Sequence, residues 1–183
     1  MKTVLVTLAP GFEEIETITV VDILRRAGAR VTLGATQDGP IEGSRGVSVL
    51  PDTTLDRLVE QETFDLIVLP GGQPGTDNLC KNTAVHSLLQ EQAKAGRAIA
   101  AICAAPMVLD QAGLLEGRCV TSHPSVADRL NSGHYVESRV AVDGNLITSR
   151  APGTALEFAL ALVDKLFGPE RMEMVNKGVL ARI

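Results

Sequence analysis

The sequence predicts an α/β protein built on a mostly parallel sheet with helices on both faces. Short, continuous apolar runs alternate with amphipathic segments along the chain. That β-α-β-α order folds as parallel strands joined by crossover helices. Several amphipathic segments stop at a glycine, namely Gly28, Gly96, Gly113 and Gly168, and glycine ends helices without a Cβ penalty. No repeat, low-complexity stretch or long linker divides the 183 residues, so residues 1–183 are expected to form a single domain. A chain of this length buries roughly 70% of its unfolded surface and needs neither disulfide nor metal to be stable.

In order, "KTVLVTLA" (2–9) predicts a strand and "IETITVVDILRRAG" (15–28) a helix. "ARVTLGAT" (29–36) is a second strand. "GVSVLPD" (46–52) is a shorter one, placed at an edge by its proline. "TFDLIVLPGG" (63–72) is a strand entering a glycine turn, and "AVHSLLQEQAKAG" (84–96) a helix. "RAIAAIC" (97–103) predicts a strand, "APMVLDQAG" (105–113) a helix and "RCVTSHP" (118–124) another strand. "RVAVDGNLITS" (139–149) reads as two short strands around Asp-Gly-Asn. "GTALEFALALVDKLFG" (153–168) is a helix opened by Thr154, with Glu157 three residues on as a capping box.

Composition excludes several classes of function. A net charge of −5 and a pI near 5.2 argue against nucleic acid or an anionic membrane as partner. Aromatics reach 3% with no tryptophan, so no base-stacking platform is expected. No apolar run approaches the length of a membrane span. The N-terminal run is too short for a signal segment, and a cytoplasmic protein is expected. Cys80, Cys103 and Cys119 form no C-x-x-C pair, so neither a zinc ribbon nor a disulfide framework is expected. His86, His123 and His134 lack ligand spacing. No phosphate-binding glycine motif is present. Neither a metal nor a cofactor is expected.

In parallel sheets, sites form past the carboxyl ends of the strands. Four strand-to-helix turns there carry unusual chemistry: "APGFEEIE", "GGQPG", the turn at Cys103, and the turn at His123. Glu13 and Glu14 suit a helix N-terminus, where negative charge gains about 0.3–1 kcal/mol. Glu16 heads the stripe Glu16, Val20, Ile23, Ala27. A carboxyl there is desolvated, so it is protonated more readily or given a partner; otherwise it caps amides of the first turn. Cys103 is either a packed core thiol or a nucleophile at an elbow. Ala101 and Ala105 are small enough for an elbow, and Pro106 suits a first helical turn. A helix N-terminus there would lower the thiol pKa. Gly71 and Gly72 allow close approach of backbone amides, which with the Ala104 amide would form an oxyanion site; a Gly-Gly pair also serves as a plain turn. His123 is singled out by its turn alone.

The segments "GFEEIET", "VLPGG", "AAICAAP", "SHP" and "TSRAPGTALEFAL" resemble the ThiJ/PfpI superfamily, and within it the branch of the parkinsonism-associated protein deglycase. The resemblance runs over essentially the whole chain. It implies a flavodoxin-like three-layer α/β/α sandwich assembled as a homodimer. Cys103 takes the place of the oxidation-sensitive nucleophile, Glu16 that of the protonated acid bonded to it, and His123 that of the nearby histidine. Gly72 and Ala104 match the amides of the oxyanion site, and Arg26 and Arg45 the arginines of pocket or dimer contact. The implied activity is detoxification of small α-oxoaldehydes such as methylglyoxal, of the glyoxalase III or protein deglycase type, with a role in oxidative stress. The substrate is then a small aldehyde or a glycated protein. The alternative is a redox sensor or stress chaperone whose Cys103 is oxidised to a sulfinate without turnover. A plain α/β binding domain with an inert thiol is the third reading. Two departures narrow the choice: Ala104 stands where the protease-like branch has histidine, and no late H-x-E pair supports amidotransfer.

Overall fold

The structure, a computed structural model, describes residues 1–59 and 61–181. The elements run β1 (Thr3–Leu8), α1 (Glu14–Arg26), β2 (Arg30–Ala35), β3 (Ile41–Glu42), β4 (Ser48–Val49), β5 (Thr53–Thr54) and β6 (Leu66–Leu69). Then come α2 (Gly75–Lys81), α3 (Thr83–Lys94), β7 (Ala98–Ile102), α4 (Pro106–Gln111), β8 (Cys119–Val120), α5 (Pro124–Ala127) and β9 (His134–Tyr135). β10 (Val140–Asp143), β11 (Leu146–Ser149), α6 (Ala155–Phe167) and α7 (Pro169–Val179) complete the described chain.

The main sheet has the order β10-β11-β7-β6-β1-β2-β5. Every neighbouring pair is parallel except the β10–β11 hairpin at one edge. Strand side chains alternate between two cores, as the two-residue period requires. Val4, Val6 and Leu8 face one side with Val20, Leu24, Phe158 and Leu162 of α1 and α6. Leu5, Ile67 and Leu69 face the other with Leu79, Leu88, Leu89 and Val108 of α2, α3 and α4. These side chains are almost fully buried, each contributing about 1.5–3 kcal/mol of apolar transfer. This is the three-layer architecture the sequence predicts.

Four expectations are corrected. Residues 46–52 hold only β4, which pairs with β3 outside the main sheet, while the edge strand is β5. The strand expected over 118–124 shrinks to β8, which pairs with β9 in its own small sheet. The capping box at Thr154 does not form. Thr154 Oγ1 instead accepts the amides of Arg150 and Ala151 at 3.2 and 3.1 Å, and Glu157 pairs with Arg139 at 2.7 Å. Helices α2 and α7 were not expected; both are short, and α7 buries only Val175, so neither carries a strong apolar stripe.

Candidate active site

β7 ends at Ile102, and the chain turns within one residue toward α4. Cys103 makes that turn with φ +64°, a left-handed conformation that costs a non-glycine residue on the order of 1–3 kcal/mol at such sites. The neighbours hold it there. The Cys103 amide donates to Ser149 O of β11 at 3.0 Å, and the His123 amide donates to Cys103 O at 2.8 Å. Ala101 and Ala105 are fully buried on either side, so larger residues would clash with the packed elements. Pro106 opens α4, where its missing N–H leaves nothing unpaired.

Glu16 arrives from α1. Its carboxylate is fully buried, and Oε2 accepts the Gly71 amide at 2.8 Å. Gly71 O accepts the Glu13 amide at 2.9 Å, so the Pro-Gly-Gly turn is zipped to the start of α1 from both sides. Oε1 is buried without a hydrogen-bond partner; the polar group beside the carboxyl is the Cys103 thiol, and each shifts the titration of the other. The glycines permit this approach. A Cβ on Gly71 would sit 2.7 Å from Cys103 Cβ and 2.9 Å from Glu16 Oε2. Gly72 has φ +94°, and its Cβ would lie 2.5 Å from Gly11 O. The amides of Gly72 and Ala104 lie beside the sulfur and favour its thiolate form. Gly71, expected as a third oxyanion donor, is corrected: its amide is occupied by Glu16.

Burial pushes the Glu16 carboxyl up from 4.5 to about 7, against the Gly71 amide and the Cys103 thiol, which favour the anion. The thiol is pushed up to about 12, first by burial and then by the charge and hydrogen bond of Glu16, while the Ala104 and Gly72 amides work the other way. The expected lowering of the thiol pKa by a helix start is therefore overturned while Glu16 is ionised. α4 is too short, and the sulfur too desolvated, for the helix end to outweigh a carboxylate in contact. Near neutrality the carboxyl is the group of the pair that titrates, while the thiol keeps its proton.

The sulfur opens on a cavity of about 820 Å³, lined also by Glu13, Ser44, Arg45, Gly72, Asp77, Ala104, His123 and Arg129. His123 belongs to this site although β8 lies outside the main sheet; the backbone bond to Cys103 O brings it there. The Ser125 amide donates to His123 Nδ1 at 3.2 Å, and Ser125 Oγ lies 2.7 Å from the same nitrogen. The neutral ring thus carries its proton on Nε2. Arg45 lines the cavity. Arg26 does not: it pairs with Asp22 at 2.6 Å beside Ile18, Ile23 and Val179, so of its expected pocket or dimer contact the pocket alternative is set aside. Sequence reasoning missed Arg129, and it gave Glu14 only a dipole role. Glu14 in fact binds Ser44 Oγ at 3.2 Å and the amides of Arg45 and Val47 at 2.7 and 3.3 Å. Those donors outweigh its burial and hold its carboxyl below the ordinary value. No local pattern signals a contact across thirty residues. Among the described residues, no group of three or more His, Cys, Asp or Glu is placed to hold a metal ion, and no helix is long and apolar enough to cross a membrane.

Similarity to known proteins follows the same geometry. The chain is 47% identical over 182 residues to protein dj-1beta of Drosophila melanogaster, covering 98% of this chain and 97% of that one. The crystal structure of the fly protein superposes with a TM-score of 0.96 at 45% identity, covering 100% of this chain and 99% of that chain. An oxidized DJ-1 of Toxoplasma gondii superposes with a TM-score of 0.96 at 36% identity, over 100% of both chains. A glutathione-independent glyoxalase of Caenorhabditis elegans is 39% identical over 179 residues, 96% of this chain and 95% of that one. The profile of the DJ-1/PfpI family matches residues 2–165; with the elbow cysteine, its buried acid partner and the sheet that presents them, the chain belongs to the DJ-1/PfpI family.

Proposed function

We propose that the chain is a cysteine-dependent, cofactor-free enzyme of the glyoxalase type, converting small α-oxoaldehydes to hydroxy acids. The observation that carries this reading is the buried Glu16 carboxyl set beside the Cys103 thiol, itself at the wall of an open cavity. An ionised Glu16 takes the thiol proton as sulfur attacks the aldehyde carbon, forming the C–S bond as the C=O π bond opens, and passes that proton to the aldehyde oxygen, which gives a hemithioacetal and returns Glu16 to its ionised form. The Gly72 and Ala104 amides stabilise developing negative charge, and donors of this type are worth about 10²–10³-fold. Glu16 then carries a proton from the aldehyde-derived carbon to its neighbour through an enediol, which leaves a thioester of the hydroxy acid. Water cleaves the C–S bond, releases the acid and restores the thiol. The sequence is an internal redox rearrangement followed by hydrolysis, so no outside oxidant enters. General acid–base help of this kind is worth about 10²–10⁴-fold.

The test is lactate formation from methylglyoxal by purified protein without glutathione. Wild type should turn over and Cys103→Ala should fall to background; undiminished lactate from Cys103→Ala overturns the reading. Removal of early glycation adducts from proteins, action within the oxidative-stress response, a homodimeric state and a cytoplasmic location belong to the same proposal.

One observation favours redox sensing as a second reading. Cys103 is a free thiol open to the cavity, and the donors around it, the Gly72 and Ala104 amides with a protonated Glu16, also suit sulfinate oxygens. Peroxide followed by peptide mass analysis should add two oxygens at Cys103 first; selective addition at Cys80 or Cys119 counts against it.

A further inference from the structure

We infer that the cavity prefers α-oxoaldehydes that also carry a carboxylate, with Arg45 and Arg129 as the groups that recognise it; this rests on the glyoxalase reading and names its substrate class. Arg25, Arg26, Arg30, Arg57, Arg118 and Arg139 each have a carboxylate within 4.0 Å. Among the described residues, Arg45, Arg97, Arg129, Arg150 and Arg171 have no such partner, and of these Arg45 and Arg129 line the cavity that holds Cys103. A chain of net charge −5 thus presents unpaired guanidinium groups at its thiol.

Arg45 is also placed there by construction. Glu14 holds the turn that carries it through Ser44 Oγ and the Arg45 and Val47 amides. The turn is pressed so closely on Glu14 that a Cβ on Gly43 would lie 2.5 Å from the carboxyl. A three-carbon aldehyde leaves most of about 820 Å³ unfilled, a volume in the range of sites for much larger ligands. The guanidinium fork matches a planar carboxylate bidentately. The acids at the cavity set the limit on ligand charge. Glu13 accepts the Glu16 amide at 2.8 Å, and Asp77 accepts from Gln73 at 3.4 Å. Both line the same space and oppose a dianion, so a monoanionic carboxylate fits better than a phosphate.

Alkylation of Cys103 by iodoacetate and by iodoacetamide compares two probes that differ by one carboxylate and needs no turnover. At pH 6 and low salt, the iodoacetate-to-iodoacetamide rate ratio at Cys103, read by peptide mass spectrometry, should exceed that of blocked cysteine amide by about fivefold. It should fall toward the reference value in high salt, and in Arg45→Gln and Arg129→Gln. A wild-type ratio no higher than the reference overturns the inference, as does a preference that survives both substitutions and salt. The companion assay compares kcat/KM for 4-carboxyphenylglyoxal and phenylglyoxal, where the carboxylated substrate should be favoured by a similar factor. A protein that shows the alkylation preference but turns over neither glyoxal keeps the carboxylate site and loses the glyoxalase reading. One that turns over both equally loses the carboxylate site alone.

Discussion

Replacing Glu16 by Gln should make the fold more stable at alkaline pH while removing activity. Glu16 is fully buried and its carboxyl titrates near 7 in the fold against 4.5 in a free chain. A carboxyl raised in this way favours the folded state while it stays protonated, and stability is lost as pH rises from about 4.5 through about 7. Each pH unit in that window costs about 1.4 kcal/mol, so full ionisation costs about 3 kcal/mol. Glutamine keeps an oxygen for the Gly71 amide and cannot ionise. The stability difference between variant and wild type should therefore grow by about 2–3 kcal/mol between pH 5 and pH 8. For a chain of this size that is about 5–10 °C in melting temperature. Urea unfolding at a series of pH values measures it directly, provided the transition is two-state. A difference that stays flat across the range would refute the claim that burial holds this carboxyl protonated. A difference that shrinks with rising pH would reverse its sign.

Turnover should follow the same group in the opposite sense: log(kcat/KM) for methylglyoxal should rise with unit slope below about pH 7 and level above it, and a flat profile removes Glu16 as the base that takes the thiol proton. Gly72→Ala should cost about 2 kcal/mol or more and lower activity, because φ +94° and a Cβ at 2.5 Å from Gly11 O leave no room to relax; an undisturbed melting curve would contradict it. Cys103→Gly should relieve the strain at φ +64° and stabilise the inactive protein relative to Cys103→Ala, and calorimetry of the two variants decides. Cys103→Ala removes a donor that favours the Glu16 anion, so the Glu16 titration should move further above 7; carbon-detected NMR of labelled glutamate reads the shift, and a downward move is the refuting result.

The parts of this molecule that were legible in the sequence are those with a local signature. The strands β6 and β7 are continuous apolar runs, and β1 nearly so, because both faces of the sheet are covered and the side chains alternate between two cores. Glu16 stood out because a carboxylate heading an apolar stripe has no inexpensive solution. Cys103 stood out because small residues surround it. What failed was long-range. β8 looks like a sheet strand by composition, but the Cys119 amide is taken by the Asp143 carboxylate at 2.8 Å and the Thr121 amide by Thr148 Oγ1 at 3.0 Å, so side chains rather than a neighbouring strand pair it with the hairpin. Arg129 sits on a short segment with no periodicity, and its place at the cavity depends on how residues 122–130 return over Cys103. The thiol pKa departs from expectation for an energetic reason: burial of the sulfur, with the Glu16 charge second, outweighs the helix end.

The distribution of strain separates the candidate site from the rest of the fold. Among the described residues, Cys103 and Leu180 are the non-glycine positions with positive φ. Leu180 has a structural cause, since it caps α7 in the left-handed conformation and its amide bonds back to Asn176 O and Lys177 O. Cys103 caps nothing. It follows a strand and precedes a helix whose own cap is Ala105, and a glycine there would serve the turn at lower cost. The same point holds a fully buried carboxyl with one oxygen lacking a hydrogen-bond partner, and a glycine whose added Cβ would lie 2.7 Å from the Cys103 Cβ. Three unfavourable local choices meet at one sulfur, while the surrounding strands are locally consistent. A left-handed non-glycine residue that caps nothing, held by β11, α1 and the Pro-Gly-Gly turn together, is the pattern expected where chemistry rather than stability sets the residue.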